Sequence, residues 1–333
     1  MHEVDFLPVG DGERSGDAIA MRFTRPDTGE TAVVVIDAGF KDDGEDLVTH
    51  IETYYGTSVV DLAILTHPDG DHIGGMGEVI RGLNVKKLWL HDIGSHGGAA
   101  LPAADAVSDL INVARENGTE VFEAWAGATA FGGAITVLGP DKEYYETLVG
   151  DQLTEGASAT SVGKKLLEAA AGLVDRLATS LGVEVPFEAK EVNARNNSSA
   201  ITLLAVDRQR LLFTGDAGVP ALERAWDVAE ARELAGPLDF VQVPHHGSRR
   251  NASSAWLDRL LGSTGQETNK VAFVSAVANS DKHPSGRVVN AYIRRGCEVI
   301  VTAGSAKCHR HLTPARWGWS QAVPVGPMVE EDD

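Results

Sequence analysis

The run Ala32-Val33-Val34-Val35-Ile36 has no polar side chain, and it constrains the fold more than any other feature of the sequence. Alternate side chains of a strand point to opposite faces, so a wholly apolar strand needs both faces of its sheet covered. Short runs rich in β-branched residues and bounded by Gly, Asp and Asn read as further strands. They lie at Val4 to Val9, Ala18 to Phe23, Ala32 to Asp37, Val59 to His67, Val85 to His91 and Ala134 to Leu138. Helices should flank these sheets, and Ala103 to Asn117 fits one, with Val107, Leu110, Ile111 and Ala114 on one stripe and Gly118 at its end.

Between residues 141 and 192 the pattern changes. Val162, Leu166, Ala170, Leu173, Leu177 and Leu181 recur at spacings of four and three, which predicts an amphipathic helix, either an insertion or lid or an ordinary packing helix. Strand signals return at Ala200 to Val206, Arg210 to Thr214, Leu238 to Val243, Val271 to Val277 and Glu298 to Thr302. Helical patterns separate them at Val219 to Ala235, Ser253 to Leu261 and Ser285 to Arg295. Two strand-rich halves with helices outside imply an α/β (α+β) fold of two sheets packed face to face under two helical layers. We read residues 1–333 as one domain with a helical insertion at about 141–192 and a flexible tail over about 323–333.

A formal net charge of -19 repels polyanions over most of the surface, so a phosphate substrate would need metal ions or a local basic patch. Two cysteines, Cys297 and Cys308, are too few for a disulfide framework. The start Met1-His2-Glu3-Val4-Asp5 lacks the pattern of a secretory signal, and no run reaches the roughly 20 apolar residues of a membrane span. The expectation is a cytoplasmic protein with no membrane contact.

The apolar run Val59 to Thr66 ends at His67, and Asp69, Asp71 and His72 follow before Gly74-Gly75. Four potential ligands leaving one strand end can converge on cations, and adjacent carboxylates otherwise repel. Leu211 to Asp216 is a strand running into Thr214-Gly215-Asp216, where a carboxylate bridging two cations could project, although a Gly-Asp pair is also an ordinary turn. Leu238 to Ser248 is a strand ending in His245-His246, one able to ligate and one able to give a proton. Adjacent side chains on extended chain point opposite ways, so one of the two could be structural. His283 and the group Asn196-Asn197-Ser198-Ser199 fit either site residues or turns. For Cys308, His309 and His311, and for His50 and His91, packing is the simpler role; His2 and His96 add nothing.

His67-x-Asp69-x-Asp71-His72 with Gly74-Gly75 resembles the signature loop of the metallo-β-lactamase superfamily, whose common form is H-x-H-x-D-H; Asp69 replaces the middle histidine. That departure resembles the soluble hydrolase domain of ComEC-type competence proteins. Val9-Gly10-Asp11-Gly12, Gly16-Asp17-Ala18-Ile19, Ile36-Asp37-Ala38-Gly39, Asn196 to Ser199, Thr214-Gly215-Asp216, Pro244-His245-His246-Gly247-Ser248 and Asn279 to Pro284 continue the match in order. The resemblance implies a four-layer αββα sandwich with two divalent metal ions, zinc or manganese, at one edge. His67 and Asp69 would serve one metal, Asp71 and His72 the other, and Asp216 would bridge, with His246 and His283 as further ligands. The usual third histidine has no counterpart before Ser198, where Asn196 or Asn197 stands, and the oxygen-rich set moves preference from zinc toward manganese.

The expected chemistry is hydrolysis of a phosphodiester in nucleic acid or a nucleotide by a metal-activated water. Asp71 would orient the nucleophile and His245 or His246 protonate the leaving alkoxide, while Asn196, Asn197, Ser248, Arg249 and Arg250 would contact substrate. Single-stranded nucleic acid fits better than duplex. The alternatives are hydrolysis of an ester, lactone or thioester, or a metal-bound, inactive subunit that binds a partner.

Overall fold

The structure is a computed structural model and describes residues 1–10, 12, 14–155, 184–266, 268–278, 280 and 282–330. In chain order the strands are β1 (His2–Phe6), β2 (Ala18–Thr24), β3 (Thr31–Ala38), β4 (Val59–Val60), β5 (Leu62–Ile64), β6 (Asn84–Val85), β7 (Lys87–Trp89) and β8 (Glu120–Phe122). Then come β9 (Thr129–Ala130), β10 (Ile135–Gly139), β11 (Ile201–Val206), β12 (Gln209–Phe213), β13 (Phe240–Gln242), β14 (Lys270–Val274), β15 (Cys297–Val301) and β16 (Lys307–His311). One sheet has the order β16-β1-β2-β3-β5-β7-β8 and the other β15-β14-β13-β12-β11-β10-β9, while β4 and β6 form a separate pair.

The apolar run of β3 divides as its pleat requires. Val34 and Ile36 point between the sheets with Phe6, Met21, Phe213, Phe240 and Phe273. Val33 and Val35 point outward into a second core, made with Leu47 of α1 (Lys41–His50), Met76 and Val79 of α3 (Met76–Gly82) and Val107 and Leu110 of α4 (Pro102–Glu116). A one-turn α2 (Gly70–Ile73) precedes α3. The outer face of the second sheet, through Leu203, Leu212 and Val241, packs on Leu222 and Trp226 of α7 (Val219–Ala231), Trp256 of α8 (Ser254–Leu261) and Val288 of α9 (Gly286–Arg294). Three apolar cores between four layers give the αββα sandwich. Each fully buried Val, Ile, Leu or Phe contributes roughly 1.5–3 kcal/mol of transfer free energy, which is why continuous apolar strands demand this burial.

The expected strand Val59 to His67 is broken at Asp61. Its carboxylate accepts the Val33 N–H at 2.9 Å and pairs with Lys86 at 2.7 Å, so only Leu62–Ile64 enters the sheet. Within the expected insertion, α5 (Lys142–Glu155) buries Tyr145 and Val149 in the same core as α4, and a single turn, α6 (Ala194–Asn197), leads into β11. The helix expected over Val162 to Leu181 lies outside the described residues. The tail expected to be flexible from about residue 323 is pinned as far as Glu330. Val325 donates its N–H to Val299 O at 2.8 Å, Asn290 exchanges two hydrogen bonds with the Met328 backbone, and Glu330 pairs with Arg294 at 2.8 Å. Residues 331–333 lie outside the described residues. Among the described residues no helix is long and apolar enough to cross a membrane.

Candidate metal centre

The strand directions bring the candidate residues to one edge. β3 and β5 run parallel, as do β12, β13 and β14, so their carboxyl ends open on the same side, where open α/β sheets hold ligands. β5 leads into Thr66-His67 and then α2, which carries Asp71 and His72 on one turn. Gly75 lets this loop sit against the end of β3, since a Cβ there would lie 2.2 Å from Ala38 O. β12 leads into Asp216 and β13 into His245-His246.

Asp216 is the centre of the cluster. His72 Nε2 lies 3.5 Å from its Oδ1; His245 Nε2 lies 3.5 Å, and His67 and His246 Nε2 3.9 Å, from its Oδ2. Asp69 Oδ2 is 3.7 Å from His67 Nε2, and Asp71 Oδ2 is 3.7 Å from His246 Nε2 and 3.9 Å from His72 Nε2. Extended chain would turn His245 and His246 apart. Both adopt left-handed backbone, at φ 50 and 55, and both rings therefore face Asp216. Two successive non-glycine residues in that region cost of order 1–3 kcal/mol each, a local strain that the surrounding packing sustains.

A second layer of hydrogen bonds fixes the tautomers. Asp37, fully buried, accepts from Thr66 N–H at 2.8 Å, Thr66 Oγ1 at 2.6 Å and His72 Nδ1 at 2.8 Å. Because the Thr66 hydroxyl proton goes to Asp37, its oxygen accepts from His67 Nδ1 at 3.0 Å. His246 Nδ1 donates to Ser275 O at 3.1 Å. Asn251 Nδ2 donates to the carbonyls of Asp216 and Ala217, so Asn251 Oδ1 must be the acceptor for His245 Nδ1 at 3.1 Å. Asn196 Nδ2, 3.2 Å from that same nitrogen, then finds no lone pair there and turns to Asp216 Oδ2 at 3.5 Å. All four imidazoles thus present an Nε2 lone pair to one carboxylate.

Lone pairs facing a buried carboxylate repel unless protons or cations lie between them. The Nε2 atoms of His67, His72 and His246 and Oδ1 of Asp216 are buried without a protein partner. Among the described residues four groups of ligand atoms are compact enough to hold a cation: His67-His72-Asp216, Asp71-His72-His246, Asp17-Asp37-His72 and Asp17-Asp216-His246. The residues therefore fit divalent metals, each imidazole oriented by a carboxylate, hydroxyl, carbonyl or amide behind it, as outer-shell partners orient metal-binding histidines.

Without cations, protons take their place. Burial by itself would lower the His72 imidazole, but the charges of Asp216 and Asp37 raise it well above its ordinary value. His246 likewise rises despite burial, through Asp216 and Asp71. Burial would raise Asp216, yet the His245, His72 and His246 charges hold it well below the usual carboxylate range. Burial lowers His245, and burial with the His246 and His245 charges brings His283 down to about 4. Cation binding at His72 and His246 therefore competes with protons. Replacing Asp37 with asparagine removes its charge and leaves one acceptor oxygen for the three donors of Thr66 and His72, and the apparent cation affinity is expected to fall about 10- to 100-fold. Chelator competition checks this, with circular dichroism confirming the fold.

The cluster unites His67, Asp69, Asp71, His72, Asp216, His245, His246 and Asn196. His283 stands beside it, its ring 6.0 Å from His245 and 6.4 Å from His246, and belongs to none of the compact ligand groups among the described residues. Asn197 faces away, bonding Val192 O and Gly218 N–H, and Ser248 caps the turn at Arg250. Arg249 lies over the Phe187 ring at 5.4 Å, and Arg250 is exposed. His91 is buried against Trp125 and His50 bonds Asp5, both packing roles, and His309 and His311 stack on His2 outside any compact ligand group.

Asp17, Asp37, Arg195 and Asn251 received no role from the sequence. Asp17 is buried, accepts from Gln242 at 2.9 Å and lies 3.9 Å from His72 Nδ1; burial raises its carboxyl. Asp17 immediately precedes β2 and Asp37 lies near the end of β3, both in Gly-containing segments, and that was the available signal. Arg195 and Asn251 carried none.

A sequence profile of the Metallo-beta-lactamase superfamily matches residues 14–262. The uncharacterized protein YcaI of Escherichia coli (strain K12) is 30% identical over 127 residues, covering 37% of this chain, and the match spans 15% of the length of that relative. The metallo-beta-lactamase fold protein YhfI of Bacillus subtilis aligns at a TM-score of 0.47 and 9% identity, over 92% of this chain and 99% of its own. A diphosphatase from the PhnP family aligns at 0.45 and 10%, over 93% and 98%. With the profile spanning most of the chain, over a four-layer sandwich whose edge gathers His67, His72 and Asp216, the chain belongs to the metallo-beta-lactamase superfamily, whose members are hydrolases.

Proposed function

We propose that the protein is a two-metal phosphodiesterase acting on a nucleotide or on single-stranded nucleic acid, as the likeness of its loop to the competence-protein branch also implies. The observation that carries this reading is the pair of adjoining ligand groups, His67-His72-Asp216 and Asp71-His72-His246, that share His72 and are gathered around the Asp216 carboxylate. His67, Asp69 and Asp216 would hold one divalent cation, and Asp71, His72 and His246 the other. Bound there, such cations supply a hydroxide nucleophile at neutral pH and neutralise the charge of phosphoryl transfer.

The chain's own groups do the rest. Asp37 and Ser275 O keep His72 and His246 aimed inward. Asp71, with a side chain 26% exposed, lies where water can reach it and would orient the attacking water and take its proton. His245 is 27% exposed and His246 4%, which supports His246 as the ligand and His245 as the group that exchanges a proton with the leaving alkoxide.

The test uses the purified chain loaded with manganese or zinc and offered bis(p-nitrophenyl) phosphate, single-stranded DNA and RNA, and a set of ester, lactone and thioester probes. Phosphodiester turnover that Asp71→Ala lowers by about 100-fold or more is the expected result. Turnover of acyl probes alone would sink the reading in favour of ester chemistry. Fewer than two bound cations with no turnover at all would favour a partner-binding subunit.

A further inference from the structure

We propose that Arg195 is the oxyanion receptor of this site, held at its mouth by Asp69, and that it binds a non-bridging oxygen of the substrate phosphate. The proposal deepens the phosphodiesterase reading and rests on it for the identity of the anion. Its evidence lies in a pair of residues that both depart from the usual histidine pattern. Asp69 stands where a histidine is usual, and Arg195 immediately precedes the asparagines that stand in place of another.

The two side chains meet. Arg195 Nε contacts Asp69 Oδ1, while Asp69 Oδ2 lies 3.7 Å from His67 Nε2. One carboxylate therefore faces the guanidinium with one oxygen and the cation cluster with the other. An imidazole aimed at a cation could not also accept from an arginine, so aspartate at this position does what histidine cannot. No other carboxylate pairs with Arg195 among the described residues.

The backbone that carries Arg195 is fixed. Asn193 caps the turn by accepting the Asn196 N–H at 2.7 Å, and Ser198 Oγ donates to Arg195 O at 2.6 Å. The next residue, Asn196, has its amide on Asp216. The Arg195 side chain is 40% exposed and that of Asp69 19%, so the guanidinium forms the solvent face of the pair. A planar fork engaged through Nε still offers its terminal nitrogens to an oxyanion in a fixed geometry, where a lysine would bring only a point charge.

The need for such a cation follows from charge. Asp17, Asp37, Asp69, Asp71 and Asp216 crowd the site of a chain whose net charge is -19, and an approaching phosphate meets that field first. The arginines expected to meet it are elsewhere engaged or outward: Arg249 lies over Phe187 and Arg250 is exposed.

The experiment measures binding of inorganic phosphate to the cation-loaded chain by calorimetry, with cation content by elemental analysis, for the parent, Arg195→Met and Arg195→Lys. Arg195→Met is expected to weaken phosphate about 10- to 100-fold at unchanged cation content, and Arg195→Lys to recover part of that loss. In turnover the methionine variant should raise KM more than it lowers kcat. Unchanged phosphate affinity overturns the proposal. So does a loss of affinity that merely follows a loss of cation, since Arg195 would then serve only to support Asp69. Phosphate binding needs no turnover, so Arg195-dependent affinity in a chain that cleaves no phosphodiester would sink the phosphodiesterase reading and leave this one standing.

Discussion

Asp216→Asn is expected to leave the chain folded, reduce bound cations from the proposed two to at most one, and lower hydrolysis by roughly a thousandfold, equivalent to about 4 kcal/mol of transition-state stabilisation. Asp216 is the one carboxylate approached by all four inward-facing imidazoles, with His72 at 3.5 Å from one oxygen and His245, His67 and His246 at 3.5 to 3.9 Å from the other. An amide keeps the volume and loses the charge, and its NH₂ cannot ligate a cation where a carboxylate oxygen could. Its backbone partners, the Ser199 hydroxyl and the Asn251 amide, are untouched by the change, which is why the fold should hold. Elemental analysis of the loaded variant, taken with its turnover, decides the matter. Two tightly bound cations and parental turnover would show that Asp216 bridges nothing.

The largest effect on stability is expected far from that edge. Arg316, in the chain after β16, donates to Asp5 Oδ1 at 3.0 Å, Asp5 Oδ2 at 2.7 Å and Glu3 Oε2 at 2.8 Å. Tyr55 adds a hydroxyl bond to Asp5 Oδ2 at 2.7 Å, and Arg22 donates to Glu3 at 2.6 Å. Both carboxylates sit on β1 with 1% exposure or less. Arg316→Met takes away the cation they share, leaving Glu3 with Arg22 and Asp5 with Tyr55 and His50, and breaking a buried pair on one side costs about 3–5 kcal/mol.

The effect carries a pH signature. Burial alone would raise the Asp5 carboxyl, but hydrogen bonds from His50 and Arg316 and the Arg316 charge hold it below its ordinary value. A depressed folded value means that the stabilisation is complete above the unfolded value of about 3.9 and is lost as pH falls through the folded one. The deficit of Arg316→Met in urea unfolding should therefore be full at neutral pH and shrink below about pH 4. A deficit that is independent of pH would mean that the lost contacts over Tyr54, Tyr55 and Trp319, not the charge, account for it.

Much of the architecture was readable because strand burial leaves a direct trace in composition. Ala32 to Ile36 could only be a doubly covered strand, and Val33 and Val34 duly face different cores. Strands with a weaker trace were not readable. Glu120–Phe122 and Lys307–His311 lie at the edges of their sheet, where one neighbour is missing and polar residues are tolerated. The break at Asp61 was hidden because its two partners, Val33 and Lys86, come from other segments.

The sequence by itself determined the candidate ligand types and where they leave their strands: His67 to His72 after one apolar run, Asp216 after another, His245 and His246 after a third. Those are local facts, set by residue order and a tight loop. Only the tertiary structure decided how the groups are aimed. The left-handed backbone that turns both His245 and His246 inward, the bond from His72 to Asp37 across 35 positions, and the meeting of Arg195 with Asp69 all depend on which strand ends share an edge. The physical reason is that the direction of a lone pair is set by the partner behind the ring, and here those partners come from distant parts of the chain.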